Sequence, residues 1–126
     1  MIRPIDIEDA VRDILSGSIT AYCRPLPKTY SLPNILVTAT GGSQDADWKG
    51  IDVMDTFTVK LDCRGASEAS ALDTLRTAIG TLQASRDARI CRVLVNSLYS
   101  WGNDGTRPDL AMCSATLLVT ARPENT

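Results

Sequence analysis

An α+β fold, a mostly antiparallel mixed sheet with two helices packed on one face, is predicted by three features of this chain. Residues 53–64 alternate apolar and polar side chains, the mark of a half-buried strand. Residues 67–82 then repeat apolar side chains at helical spacing. The remaining segments complete the order α-β-β-β-α-β-β, which suits helices gathered over one antiparallel sheet.

The first helix is expected to start at Asp6 as N-cap, with Asp9 three residues on and the acids Glu8 and Asp9 near the positive helix end. Its core stripe is Ile7, Ala10, Val11, Ile14 and Leu15, and Gly17 is expected to end it. A strand follows over residues 18–23. Pro25, Pro27 and Pro33 then keep the chain out of helix and central sheet. The run NILVTAT, Asn34 to Thr40, is rich in β-branched residues, and Gly41-Gly42 reads as its terminator. Residues 41–52 are therefore expected to form a long loop, a length that accompanies either function or disorder in compact domains.

In the long strand, Phe57, Val59, Leu61 and Cys63 face one way, and Thr56, Thr58, Lys60, Asp62 and Arg64 the other. Ser67 is placed to cap a helix with the stripe Leu72, Leu75, Ile79 and Leu82, supplemented by Ala71 and Ala78 and roughly 27 Å long. Gly80 within it predicts close approach of a neighbouring element. Strands over 89–97 and 110–122 carry apolar residues on both faces, so both faces want cover. Between them residues 99–109 form a second long loop, with turn chemistry at Asn103-Asp104-Gly105 and at Pro108. Residues 1–126 are expected to form a single domain whose last four residues, 123–126, fray.

Composition narrows the function. The chain has 126 residues, no histidine and a net charge of −2, with no run of lysine or arginine to grip nucleic acid. The densest basic cluster, Arg86, Arg89 and Arg92, reads as a solvated face or an intersubunit salt-bridge donor. No apolar run approaches the roughly 20 residues of a membrane span, and the N-terminus lacks the apolar core of a secretory signal. Cys23, Cys63, Cys91 and Cys113 all fall in predicted strands without a close pair, which suits buried reduced thiols better than zinc or disulfides.

Catalysis finds little support. Without histidine the Ser-His and Cys-His routes are closed. The lysines Lys28, Lys49 and Lys60 make no S-x-x-K arrangement. Asp45, Asp47, Asp52 and Asp55 could offer oxygen ligands to a divalent cation, but their spacing is not that of an EF-hand loop and a solvated acidic loop is the plainer reading. No catalytic, cofactor or metal residue is assigned, and the chain is expected not to be an enzyme. The two tryptophans, Trp48 and Trp101, lie one in each long loop, with Tyr99 beside the second. They either fold back onto the core or anchor a protein interface, where Trp and Tyr are enriched. On the second reading the interaction residues are Trp48, Asp45, Asp47, Tyr99, Trp101 and Arg107.

Over nearly the whole chain the order and spacing resemble the tail terminator and tail-completion proteins of long-tailed bacteriophages. The resemblance lies in the N-terminal helix, Pro33 leading into NILVTAT, Gly41-Gly42, the strand DTFTVKLDCRG, the helix SEASALDTLRTAI and the closing strand SATLLVTAR. It implies a structural protein that closes into a ring, a hexamer, at the end of the tail tube. Loops and sheet edges would form its contacts, with the tube protein and a head-completion or connector protein as partners. It further implies assembly in the host cytoplasm, a place in the virion at the tail-head junction, passage of DNA without specific binding, and no membrane or cofactor. A different neck or head-completion component, a small-ligand-binding α+β regulatory domain and a carboxylate enzyme are the alternatives.

Overall fold

Pro4 opens the first helix, α1 (Pro4–Leu15), at a position where a missing N–H leaves no hydrogen bond unmade. Our computed structural model describes residues 4–23, 31–46, 52–87, 89–103 and 111–121, with backbone alone for 4, 41–46, 52–55 and 99–103. Asp6 is thus not the N-cap; it sits in the first turn, where its charge still meets the positive helix end. Ile7, Ala10, Val11 and Leu15 are buried as their spacing predicts, and Ile14 packs against them half-buried. Past Leu15 the chain turns tightly. The N–H groups of Ser18 and Ile19 both bond the Leu15 carbonyl, at 3.0 and 2.9 Å, and this turn consumes the start of the expected strand. β1 is left with Ala21–Cys23.

β2 (Asn34–Ala46) and β3 (Asp52–Gly65) pair antiparallel from Asn34↔Arg64 to Ala46↔Asp52. Gly41-Gly42 therefore does not end the strand. The register shifts between Thr40 and Gly42, so Gly41 is the extra residue of a bulge, a role that suits glycine inside a strand. The long loop expected over 41–52 is mostly the two arms of this hairpin.

Ser67 caps α2 (Glu68–Ala84) as its sequence position predicts, its hydroxyl accepting the Ser70 N–H at 3.1 Å. Ala71, Leu75, Ala78, Ile79 and Leu82 are buried, with Leu72 half-buried beside them. Gly80 does not mark a close approach: a Cβ there would meet nothing within 4 Å. The close approach is at Gly65, where a Cβ would lie 2.9 Å from the backbone nitrogen of Ala71 and so collide with the first turn of α2.

β4 (Ile90–Asn103) and β5 (Ala111–Ala121) also pair antiparallel. The second expected loop, 99–109, shrinks accordingly, because β4 runs on to Asn103, the first residue of the predicted turn. The five strands stand in the order β1-β2-β3-β5-β4, with β1 parallel to β2 and every other pair antiparallel. This is the α+β architecture read from the sequence. Between helices and sheet, residues in register form rows across the core: Ile35, Cys63 and Cys113; Val37, Leu61 and Ala115; Ala39, Val59 and Leu117. Leu61, Leu75 and Leu117 are fully buried there, and truncating any of them to alanine would cost about 2–5 kcal/mol.

Candidate functional site

The opposite face of the sheet carries the other half of each strand's alternation. In register across it lie Leu36, Asp62 and Ser114, then Thr38, Lys60 and Thr116, then Thr58, Leu118 and Leu94. Ser114 donates to the Asp62 carboxylate at 2.6 Å, and the Lys60 ammonium stands 3.7 Å from the same oxygen. Serine and lysine thus meet at one carboxylate although no S-x-x-K spacing announces it. Ser114 is fully buried and so out of a substrate's reach, and this trio reads as a cross-strand polar clamp. At the end of this face, the buried atoms Asn34 Oδ1 and Arg64 Nη1 have no hydrogen-bond partner among the described residues, while Asn34 Nδ2 donates to the Ser31 carbonyl at 2.8 Å.

β4 forms one edge of the sheet, and this edge is the most unusual feature of the fold. Its pairing with β5 slips between Ile90 and Arg92, between Val95 and Ser97, and between Ser100 and Gly102. The extra residues are Cys91, Asn96 and Trp101, five positions apart, and repeated bulges of this kind coil an edge strand and interrupt its ladder. Ile90 and Val93 are buried in the core, to which α2 also belongs, but burial falls away beyond them. Leu94, Val95 and Leu98 are 44%, 43% and 43% exposed, against at most 8% for Ile90 and Val93. The expectation that this strand is apolar on both faces is met, and much of that surface is open to solvent.

The other edge is guarded. Among the described residues β1 accompanies β2 as far as the pair Cys23↔Val37, and the next outward-pointing N–H, that of Ala39, donates to the buried carboxylate of Glu8 at 3.0 Å. A charged side chain turned onto an unpaired strand is a known way of blunting an edge. Near this edge a groove of about 390 Å³ lies between α2 and the segments flanking β1, lined by Ile19, Thr20, Leu32, Asp73 and Thr77 among others.

The basic cluster divides. Arg89 is an intrachain clamp: its guanidinium reaches Asp87 at 2.8 and 2.9 Å and Asp13 on α1 at 3.0 Å. Hydrogen bonding from Arg89 holds the Asp87 carboxyl down at about 2 and lowers that of Asp13 as well. Arg86 and Arg92 are exposed.

The cysteines divide too. Cys63 and Cys113 are opposite each other in the core, and burial first, then the neighbouring Cys113, pushes the Cys63 thiol up to about 12. Cys23 is half-buried, and burial raises its thiol too. Cys91 corrects the expectation of four buried thiols, for it is exposed at the first bulge of β4. Among the described residues no group of three or more His, Cys, Asp or Glu side chains could hold a metal ion. No described helix is long and apolar enough to cross a membrane.

Of the residues expected to make contacts, Trp48, Asp47 and Arg107 lie outside the described residues. The other three are in strands, not loops: Asp45 pairs with Met54 in the β2–β3 hairpin, Tyr99 with Ser114, and Trp101 is the third bulge residue of β4. Tyr99 and Trp101 therefore belong to the same edge strand as Leu94, Val95 and Leu98. Those three aliphatic residues were missed as site residues because the apolar pattern of β4 identifies a strand but not its place at the edge. No protein-family model matches the chain, and no curated protein matches it.

Proposed function

We propose that the chain is a structural phage protein that caps the end of the tail tube and joins the tail to the head connector as a ring. The observation that supports this reading is the β4 edge, a 14-residue strand with three large aliphatic side chains in solvent. By register Leu94 lies on the outer face and Val95 and Leu98 on the helix face, so the edge is apolar on both sides; exposed apolar surface of this kind marks partner contacts, and a repeated copy is a common partner. The order and spacing of elements that resemble tail terminators point the same way. Self-association is the first contact of the ring; the tube protein and a head-completion protein are its neighbours along the tail axis. With net charge −2 and no basic tract, its lumen would let DNA pass without gripping it. The role needs no cofactor and no catalytic group, so the Lys60–Asp62–Ser114 clamp is structural in it.

The test is assembly. Particles made without this protein should accumulate separate tails and filled heads, and adding the purified chain should join them. Normal joining in its absence would overturn the reading. A small-ligand-binding role is the second reading, favoured by the groove beside Asp73, and a ligand-dependent rise in melting temperature with a purely monomeric chain would select it.

A further inference from the structure

We propose that Cys63 and Cys113 form an oxidative cross-linking site, closed to a disulfide between β3 and β5 by a low-molecular-weight disulfide such as oxidised glutathione. The two residues are partners in the β3–β5 register and both belong to the buried core, so their side chains stand side by side on the helix face of the sheet. Directly opposed residues of an antiparallel pair have Cα atoms about 4.5 or 5.5 Å apart, and either separation lies inside the roughly 4.4–6.8 Å that a disulfide spans. Little backbone movement is needed. Their proximity is felt chemically as well, since after burial itself it is the neighbouring Cys113 that raises the Cys63 thiol. Closure gives up the contact of 3.9 Å between Cys113 Sγ and the Glu68 carbonyl at the start of α2.

No other pairing of the four cysteines is within reach in the native fold. Cys23 is on β1, two strand spacings or about 10 Å from β3 and farther still from β5. Cys91 follows Ile90, which pairs with Ala121, roughly 27 Å along β5 from Cys113 at 3.3–3.4 Å per residue. Cys23 and Cys91 themselves lie on opposite edge strands. The chemistry is two thiol–disulfide exchanges: one cysteine thiolate attacks the glutathione disulfide and releases one glutathione thiolate, and the second cysteine attacks the mixed disulfide and releases the other. The pair loses two protons and two electrons, and one oxidised glutathione becomes two reduced. Burial withholds both thiols in the folded chain, so closure takes place as the chain folds or when the sheet opens. The bond then closes the chain from residue 63 to residue 113, a loop that contains all of α2 and β4, and a disulfide across so long a loop stabilises by constraining the unfolded chain. The site works within a single chain and does not depend on a ring.

The experiment refolds the reduced full chain from urea in a glutathione buffer with the oxidised form in excess, traps free thiols by alkylation and maps the peptides by mass spectrometry. A single intrachain bridge between Cys63 and Cys113 is expected, with Cys23 and Cys91 alkylated. The bridged chain should melt about 10 °C above the reduced one, and dithiothreitol should reverse the shift. A chain carrying both Cys23→Ser and Cys91→Ser, which keeps only the core pair and removes links between chains through exposed Cys91, should close the same bridge. Recovery of all four cysteines alkylated, bridges spread over several pairings, or a bridged chain that melts below the reduced one would overturn the site.

Discussion

Glu8 and Ala39 are joined by a hydrogen bond of 3.0 Å in which a carboxylate only 2% exposed accepts a strand N–H. The bond sits beyond the last described pair of β1 with β2, Cys23↔Val37, where a side chain from α1 takes up an outward-pointing strand N–H. One edge of the sheet is thereby closed by the chain itself, whereas β4 at the other edge keeps its aliphatic residues in solvent.

Replacing Glu8 with alanine should leave the Ala39 N–H buried without an acceptor, at a cost of about 1–3 kcal/mol. Urea denaturation measures it. Glu8→Gln retains an acceptor oxygen and should lose less, and an unchanged midpoint for Glu8→Ala would show that the bond contributes nothing.

Gly65 and Gly80 should respond to alanine with opposite signs. At Gly65 the new methyl would lie 2.9 Å from backbone, which cannot yield cheaply, so a loss of about 1–3 kcal/mol is expected. At Gly80, an exposed helix position with open space, alanine should gain up to about 1 kcal/mol. Thermal melts of the two variants side by side decide it.

Much of this was legible in the residues. The capping serine at Ser67, the stripe through Leu75, Ile79 and Leu82, and the alternation from Phe57 to Cys63 are local signals, and each led to the right element. Strand ends were not legible at Gly41-Gly42, because a glycine pair is equally a terminator or a bulge until the partner strand is known. Likewise, Leu94 and Leu118 read alike as apolar residues on a second face. Only the order β3-β5-β4, a tertiary fact, leaves Leu118 half-buried and Leu94 at the open edge. The buried acceptor role of Glu8 had no sequence signal beyond an acid in the first turns of a helix.

The four thiols should react in a definite order. Exposed Cys91 should be modified first in the native protein, half-buried Cys23 later, and the fully buried Cys63 and Cys113 only after unfolding; the Cys63 thiol, pushed up to about 12, also supplies almost no thiolate near neutral pH. Timed alkylation followed by mass spectrometry reads the order. Native labelling of Cys63 as fast as Cys91 would contradict the core packing described above.

The Arg89 clamp should impart a shallow acid sensitivity. The Asp87 carboxyl, held at about 2 in the folded chain against an ordinary 3.8, contributes stability above the ordinary value and loses it as pH falls from about 4 to about 2. Its exposure limits the gain to less than about 1 kcal/mol. In Arg89→Ala, nuclear magnetic resonance titration should find Asp87 back near 3.8; an unmoved value would assign the depression to something other than Arg89.

Self-association through the exposed β4 edge is the central claim, and sedimentation velocity of the purified full chain over a hundredfold range of concentration tests it most directly. A species of several copies that grows with concentration and disappears in the Leu98→Asp variant is the predicted result. A single monomeric boundary at every concentration, with Leu94, Val95 and Leu98 left in water, would contradict it.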